Sequence, residues 1–136
     1  MNPSPEKKPP AHKPFRLSLG ERGEMAALGW LVQNGYKILA KNYRCALGEL
    51  DAVASRKNRV YFVEVKTRSG TGFGRPEEAV TRDKQRRLAR LAALYLKDKK
   101  LTQASVSFAV ISVLWRQAQA PEIRMIADAF SLEGEC

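Results

Sequence analysis

Four charged residues stand inside two otherwise apolar segments of this chain: Glu49 and Asp51 in 49–54, and Glu64 and Lys66 at the end of the run that begins at Val60. Burying an unpaired carboxylate or ammonium costs several kcal/mol or forces it to neutralise, so their placement needs a reason. Strand side chains alternate faces, so Glu49 shares a face with Asp51, and Glu64 with Lys66. If the two segments form a hairpin turning at Lys57-Asn58, facing residues sum to 115, which sets Asp51 across from Glu64 and Glu49 across from Lys66. Any odd-sum register keeps all four on one face, whereas an even sum sets Asp51 against Val63 and dissolves the cluster. The odd register also collects Leu50, Ala52, Ala54, Tyr61, Val63 and Val65 as an apolar opposite face.

Two carboxylates a few ångströms apart repel unless a cation lies between them, and a hard divalent ion such as Mg²⁺ takes such oxygen ligands. Asp51 and Glu64 are the candidate ligands. Glu24, expected to lie buried among Met25 and Leu28 on the first helix, supplies a third carboxylate if that helix packs on the hairpin. Lys66 would then orient or deprotonate a water and offset charge on an attacked phosphate. The alternative is a structural ion-pair ladder across two strands, a common arrangement.

The elements that must position these groups are legible as periodicities. Met25, Leu28, Leu31 and Val32 recur at helical spacing, and Gly35 is a stop signal, which predicts a helix over 21–34. Residues 36–44 read as a strand with Tyr36, Ile38 and Ala40 on one side. The hairpin follows, its halves separated by polar 55–59. Thr81 is an N-cap for a second helix running to about Asp98, with Leu88, Leu91, Ala92 and Tyr95 on its apolar stripe. Strands are expected over 106–115 and 123–126. The order αβββαββ predicts an α/β fold, a mixed β-sheet flanked by helices. Residues 1–18 hold Pro3, Pro5, Pro9, Pro10 and Pro14 with an excess of Lys and Arg, and read as a disordered basic tail. A single domain is expected over 19–131, then a flexible C-terminus over 132–136. His12 falls in the tail and is read as solvated. The glycine-rich 69–75 stretch lacks the spacing of a dinucleotide or phosphate-loop motif and reads as a flap beside the site.

A net charge of +10 makes polyanions the default partner. Arg44, Arg68, Lys84 and Arg87 are the candidate phosphate contacts, positioning a strand without reading its bases; a merely solvated basic helix face is the alternative for the second helix. No apolar stretch is long enough to span a bilayer, so no membrane partner is expected. The two cysteines, Cys45 and Cys136, have no metal or disulfide spacing, and a reduced cytoplasmic setting is expected.

Gly48-Glu49-Leu50-Asp51 followed by Phe62-Val63-Glu64-Val65-Lys66-Thr67-Arg68 resembles the bacterial YraN family of endonuclease-like proteins. The resemblance extends from Gly20-Glu21-Arg22-Gly23-Glu24 through Asn42-Tyr43-Arg44, Phe73-Gly74 and Lys84 to Asp128-Ala129-Phe130. It implies a restriction-endonuclease-like fold of the PD-(D/E)xK type, akin to Holliday-junction resolvases, with Glu24, Asp51, Glu64 and Lys66 as the catalytic set. Glu24, Asp51 and Glu64 would hold Mg²⁺ or Mn²⁺, and DNA rather than RNA would be the substrate, branched or single-stranded forms included. Junction-resolving relatives are dimers, so a homodimer is the expectation by analogy of fold. This chain departs from the family at Ser107 and Ala109, where Arg and Asp are usual. That departure keeps open a second function, a nucleic-acid-binding module that retains the fold without turnover, and a third, a purely structural partner-binding protein.

Overall fold

The computed structural model describes residues 17–70, 80–116 and 119–130. The basic tail with His12, the C-terminal residues after Phe130, and the glycine-rich flap from Thr71 onward therefore lie outside the described residues.

Helix α1 spans Leu19–Gln33, starting two residues before the sequence expectation. Ser18 explains the early start: its hydroxyl accepts from the Glu21 backbone N–H at 3.1 Å, and the Glu21 carboxylate accepts from the Ser18 N–H at 2.9 Å, a complete capping box. The predicted apolar stripe is displaced as well. Met25 and Val32 are 60% and 59% exposed, and the buried line is Gly23, Ala27 and Leu31. Small residues win because they let the helix lie close to the sheet. A Cβ at Gly23 would stand 1.8 Å from Thr67 Oγ1, so only glycine permits this approach.

Strand β1 (Lys37–Cys45) pairs antiparallel with β2 (Gly48–Arg56), with a register shift between Ile38 and Ala40. The shift turns Ala40 to the face opposite Tyr36 and Ile38, correcting the expected common side. Strand β3 (Arg59–Ser69) pairs antiparallel with β2 through Ala52↔Val63, Val53↔Phe62, Ala54↔Tyr61 and on to Arg56↔Arg59, the predicted register. Lys57 and Asn58 both have positive φ, 50° and 63°, the backbone a tight two-residue hairpin turn requires.

Helix α2 (Arg82–Asp98) carries the chain across the sheet so that β4 (Ser105–Trp115) runs parallel to β3, and β5 (Glu122–Ile126) closes the edge antiparallel to β4. The result is the expected αβββαββ mixed sheet, strand order β1-β2-β3-β4-β5. Two cores sandwich it. Ala27 and Leu31 of α1 meet Ala52, Ala54, Val63, Ile111 and Val113 on one face. On the other, Leu88, Leu91 and Tyr95 of α2 meet Leu50, Val53, Phe62 and Val110, with Tyr95 edge-on to both Phe62 and Tyr43. Each large apolar side chain so buried contributes about 2–5 kcal/mol against truncation to Ala. Among the described residues no helix is long and apolar enough to cross a membrane.

Candidate metal and phosphate site

The β2–β3 ladder stops at Ala52↔Val63, one residue short of the acids. Leu50 packs in the α2-side core while Ala52 packs in the α1-side core, so alternation breaks at Asp51 and Leu50 leaves the apolar set assigned to it from sequence. Asp51 Oδ2 fills the gap by accepting from the Val65 backbone N–H at 2.8 Å. The carboxylate thus satisfies a strand donor that the ladder no longer reaches.

Asp51 has no cationic partner among the described residues. Burial raises its pKa first and the Glu64 charge second, together lifting it from 3.8 to about 7 against the opposing Val65 N–H. Glu24 and Glu49 add smaller upward pushes. Glu64, only 7% exposed, is by contrast well compensated. Its Oε2 accepts from Lys84 Nζ at 2.5 Å and lies 3.3 Å from Lys66 Nζ. Of the ion-pair arrangement weighed from sequence, Glu64 has the Lys66 partner, though within one strand and joined by Lys84 of α2 rather than across two strands, and Asp51 has none among the described residues.

Lys84, Arg87, Leu88 and Leu91 fall on one face of α2 by helical spacing, and with Gly48, Glu49, Asp51 and Glu64 they enclose a cleft of about 220 Å³. Lys84 was read from sequence as a phosphate contact; here it is first the partner of Glu64. Arg87 reaches the cleft as expected, its Cδ 3.3 Å from where a Cβ on Gly48 would lie. Arg44 sits outside the cleft wall, largely exposed, paired to Glu49 at 3.2 Å. Arg68 lies two residues beyond Lys66 on the same strand face, donating to the Thr67 carbonyl at 3.1 Å.

Glu24 is partly buried on α1 and does not line the cleft. Its pKa is raised by burial first, then by Glu49, Glu21 and Glu64, which records its nearness to the other acids. Among the described residues no three of His, Cys, Asp and Glu converge as a metal-binding group. The donor chemistry nonetheless fits a hard divalent ion: two carboxylates share a cleft, and Asp51 has no ion-pair partner among the described residues.

The departure at Ser107 and Ala109 lies elsewhere. Ala109 is buried in the α1-side core beside Val63, on the sheet face away from Glu64. Ser107 accepts from Arg59 Nη1 at 3.0 Å. Sequence reasoning missed the apolar cleft wall of Leu88 and Leu91, although their offset from Lys84 was readable in the helical repeat.

The family model described as "Uncharacterised protein family UPF0102" matches residues 23–113, which hold every element of the cleft. A UPF0102 protein of Moorella thermoacetica is 46% identical over 116 residues, covering 85% of this chain and 97% of the relative. Relatives from Syntrophotalea carbinolica and Geotalea daltonii are 45% and 44% identical, covering 88% and 85% of this chain and 96% and 91% of their own. Identity of this depth spans the hairpin, both helices and the parallel strand that together frame Asp51 and Glu64, and the chain belongs to UPF0102, the YraN family.

Proposed function

We propose that this chain is a metal-dependent endonuclease acting on DNA phosphodiesters, with Asp51 and Glu64 as ligands for Mg²⁺ or Mn²⁺ and Glu24 as the third carboxylate. The observation that carries this reading is Asp51 itself, a half-buried acid beside a second acid and with no ion-pair partner among the described residues. Such a group is expensive to maintain for stability alone and is suited to binding a cation. When bound, the ion would supply Lewis-acid polarisation of a phosphoryl oxygen and activation of a water.

The chain's own groups have separable roles. The Val65 N–H fixes Asp51 Oδ2, so the carboxylate is oriented before any ligand arrives. Lys66, adjacent to Glu64, is placed to hold a water or offset charge on the phosphate. Lys84 at present neutralises Glu64, and a cation at the acids would free its ammonium for a phosphate. Arg87, Arg44 and Arg68 would position the strand by its backbone. The reading includes a reduced cytoplasmic setting and, by analogy of fold, a homodimer.

The test incubates purified protein with Mg²⁺ or Mn²⁺ and duplex, single-stranded or junction DNA, alongside Asp51→Ala and Lys66→Ala. Metal-dependent cleavage lost in both variants is expected; cleavage unchanged in both would mean a contaminating nuclease and sink the reading. A second reading, nucleic-acid binding without turnover, is favoured by the two ammonium groups already on Glu64. It predicts no cleavage by the parent and equal or tighter DNA binding by Asp51→Ala, which removes negative charge near phosphate.

A further inference from the structure

Pairing of β3 with β4 and of β4 with β5 sets Lys66 beside Ser112 and Ser112 beside Arg124. Residues paired in register point to the same sheet face, and this face is the one bearing Glu64, because Val110 and Phe62 of the same parity pack in the α2-side core. Lys66, Ser112 and Arg124 thus form a row leading from the candidate centre to the sheet edge, its ends about 10 Å apart at two strand spacings of about 4.8 Å. The outer part of the row opens into a cleft of about 480 Å³ lined by Ser112, Leu114, Arg116, Glu122 and Arg124, larger than the cleft at the acids.

Three features of this second cleft point to an oxyanion. Ser112 is 6% exposed and lines the cleft, and its hydroxyl makes no hydrogen bond among the described residues, so it is the open part of the side chain. Arg124 is exposed with no acidic partner among the described residues. The one local acid, Glu122, is already held by Arg116 at 3.3 Å, which leaves the positive charge of Arg124 in excess. A hydroxyl donor beside the Arg124 guanidinium, one strand from the Lys66 that pairs with Glu64 at 3.3 Å, matches the acceptor oxygens of a phosphodiester.

We infer that the Lys66–Ser112–Arg124 row binds a backbone phosphate of a nucleic-acid strand that extends from the Asp51–Glu64 cleft toward strand β5. The inference rests on the proposed action on nucleic acid and gives the strand its direction across the sheet. None of the candidate phosphate contacts read from sequence lies on β4 or β5, so this half of the track belongs to the non-local strand pairing.

Binding of a labelled single-stranded oligonucleotide is measured by fluorescence anisotropy without divalent metal, over a salt series, for the parent, Arg124→Gln, Ser112→Ala and Glu122→Gln. Loss of one phosphate contact should lower the log–log salt slope by about 0.7 in Arg124→Gln, with several-fold weaker binding. Ser112→Ala should weaken binding at unchanged slope, and Glu122→Gln should tighten it several-fold. An unchanged slope and affinity in Arg124→Gln overturns the inference while leaving the proposed nuclease standing. So does self-association of Arg124→Gln at unchanged affinity, the sign of an arginine that only guards a sheet edge. Arg124-dependent binding by a chain that never cleaves overturns the nuclease reading alone, and absence of any binding at low salt overturns both.

Discussion

The two faces of the sheet are built from the same strands and have opposite characters. The α1 face is apolar through its middle, from Ala54 and Tyr61 near the hairpin turn to Val65, Ile111 and Val113. The α2 face begins the same way, with Val53, Val60 and Phe62, and then changes to Asp51, Glu64 and Lys66 within two residues. Alternation makes this possible, since Val63 and Val65 anchor β3 on one side while Glu64 and Lys66 are presented on the other. A strand can carry chemistry where its reverse side is dry enough to hold it still.

The largest effect that would break the contrast is expected at Asp51. Its folded-state pKa of about 7, raised by burial first and Glu64 second, means the folded chain holds this proton more tightly than the unfolded one. Stability from this source is full below about pH 3.8 and is lost as pH rises through about 7, at about 1.4 kcal/mol per unit. Asp51→Asn should therefore match the parent in thermal melts near pH 4 and exceed it by roughly 2–4 kcal/mol near pH 8. Added Mg²⁺ at the higher pH should raise the melting temperature of the parent and leave that of Asp51→Asn unmoved. A gain independent of pH would show that Asp51 is not strained by its charge.

A smaller effect is expected on the dry face. Gly23→Ala drives a Cβ into Thr67, and overpacking of this kind costs about 1–3 kcal/mol, read as a lower denaturation midpoint. Retained stability would show that α1 lifts from the sheet at little cost. The smallest belongs to the rim. Arg44 and Glu49 form an exposed pair, so Arg44→Ala should change stability by less than about 1 kcal/mol and by less still in high salt.

Much of this contrast was legible in the sequence, and the failures share a cause. The hairpin register followed from parity alone, because one apolar face and a two-residue turn leave few alternatives. The stripe of α2 was also readable, as Leu88, Leu91, Ala92 and Tyr95 are its only sustained apolar line. The stripe of α1 was misread because hydrophobicity favours Met25 and Val32, whereas close packing favours Gly23 and Ala27. Ala40 and Leu50 were assigned to the wrong sides because a register shift and a broken ladder reset the alternation locally. The row to Arg124 depends on the parallel pairing of Lys66 with Ser112, more than forty positions apart, which no local pattern encodes; only the step from Ser112 to Arg124 joins strands adjacent in sequence.

The contact between Gly23 and Thr67 has a mechanical consequence for Glu24, the next residue along the helix. A helix seated with no clearance against a strand cannot slide along its axis or roll toward the sheet without a steric collision. Its backbone is a fixed mount. Any approach of Glu24 to Asp51 must then come from rotation about the side-chain bonds of Glu24 itself, a change of rotamer rather than a movement of the element that carries it.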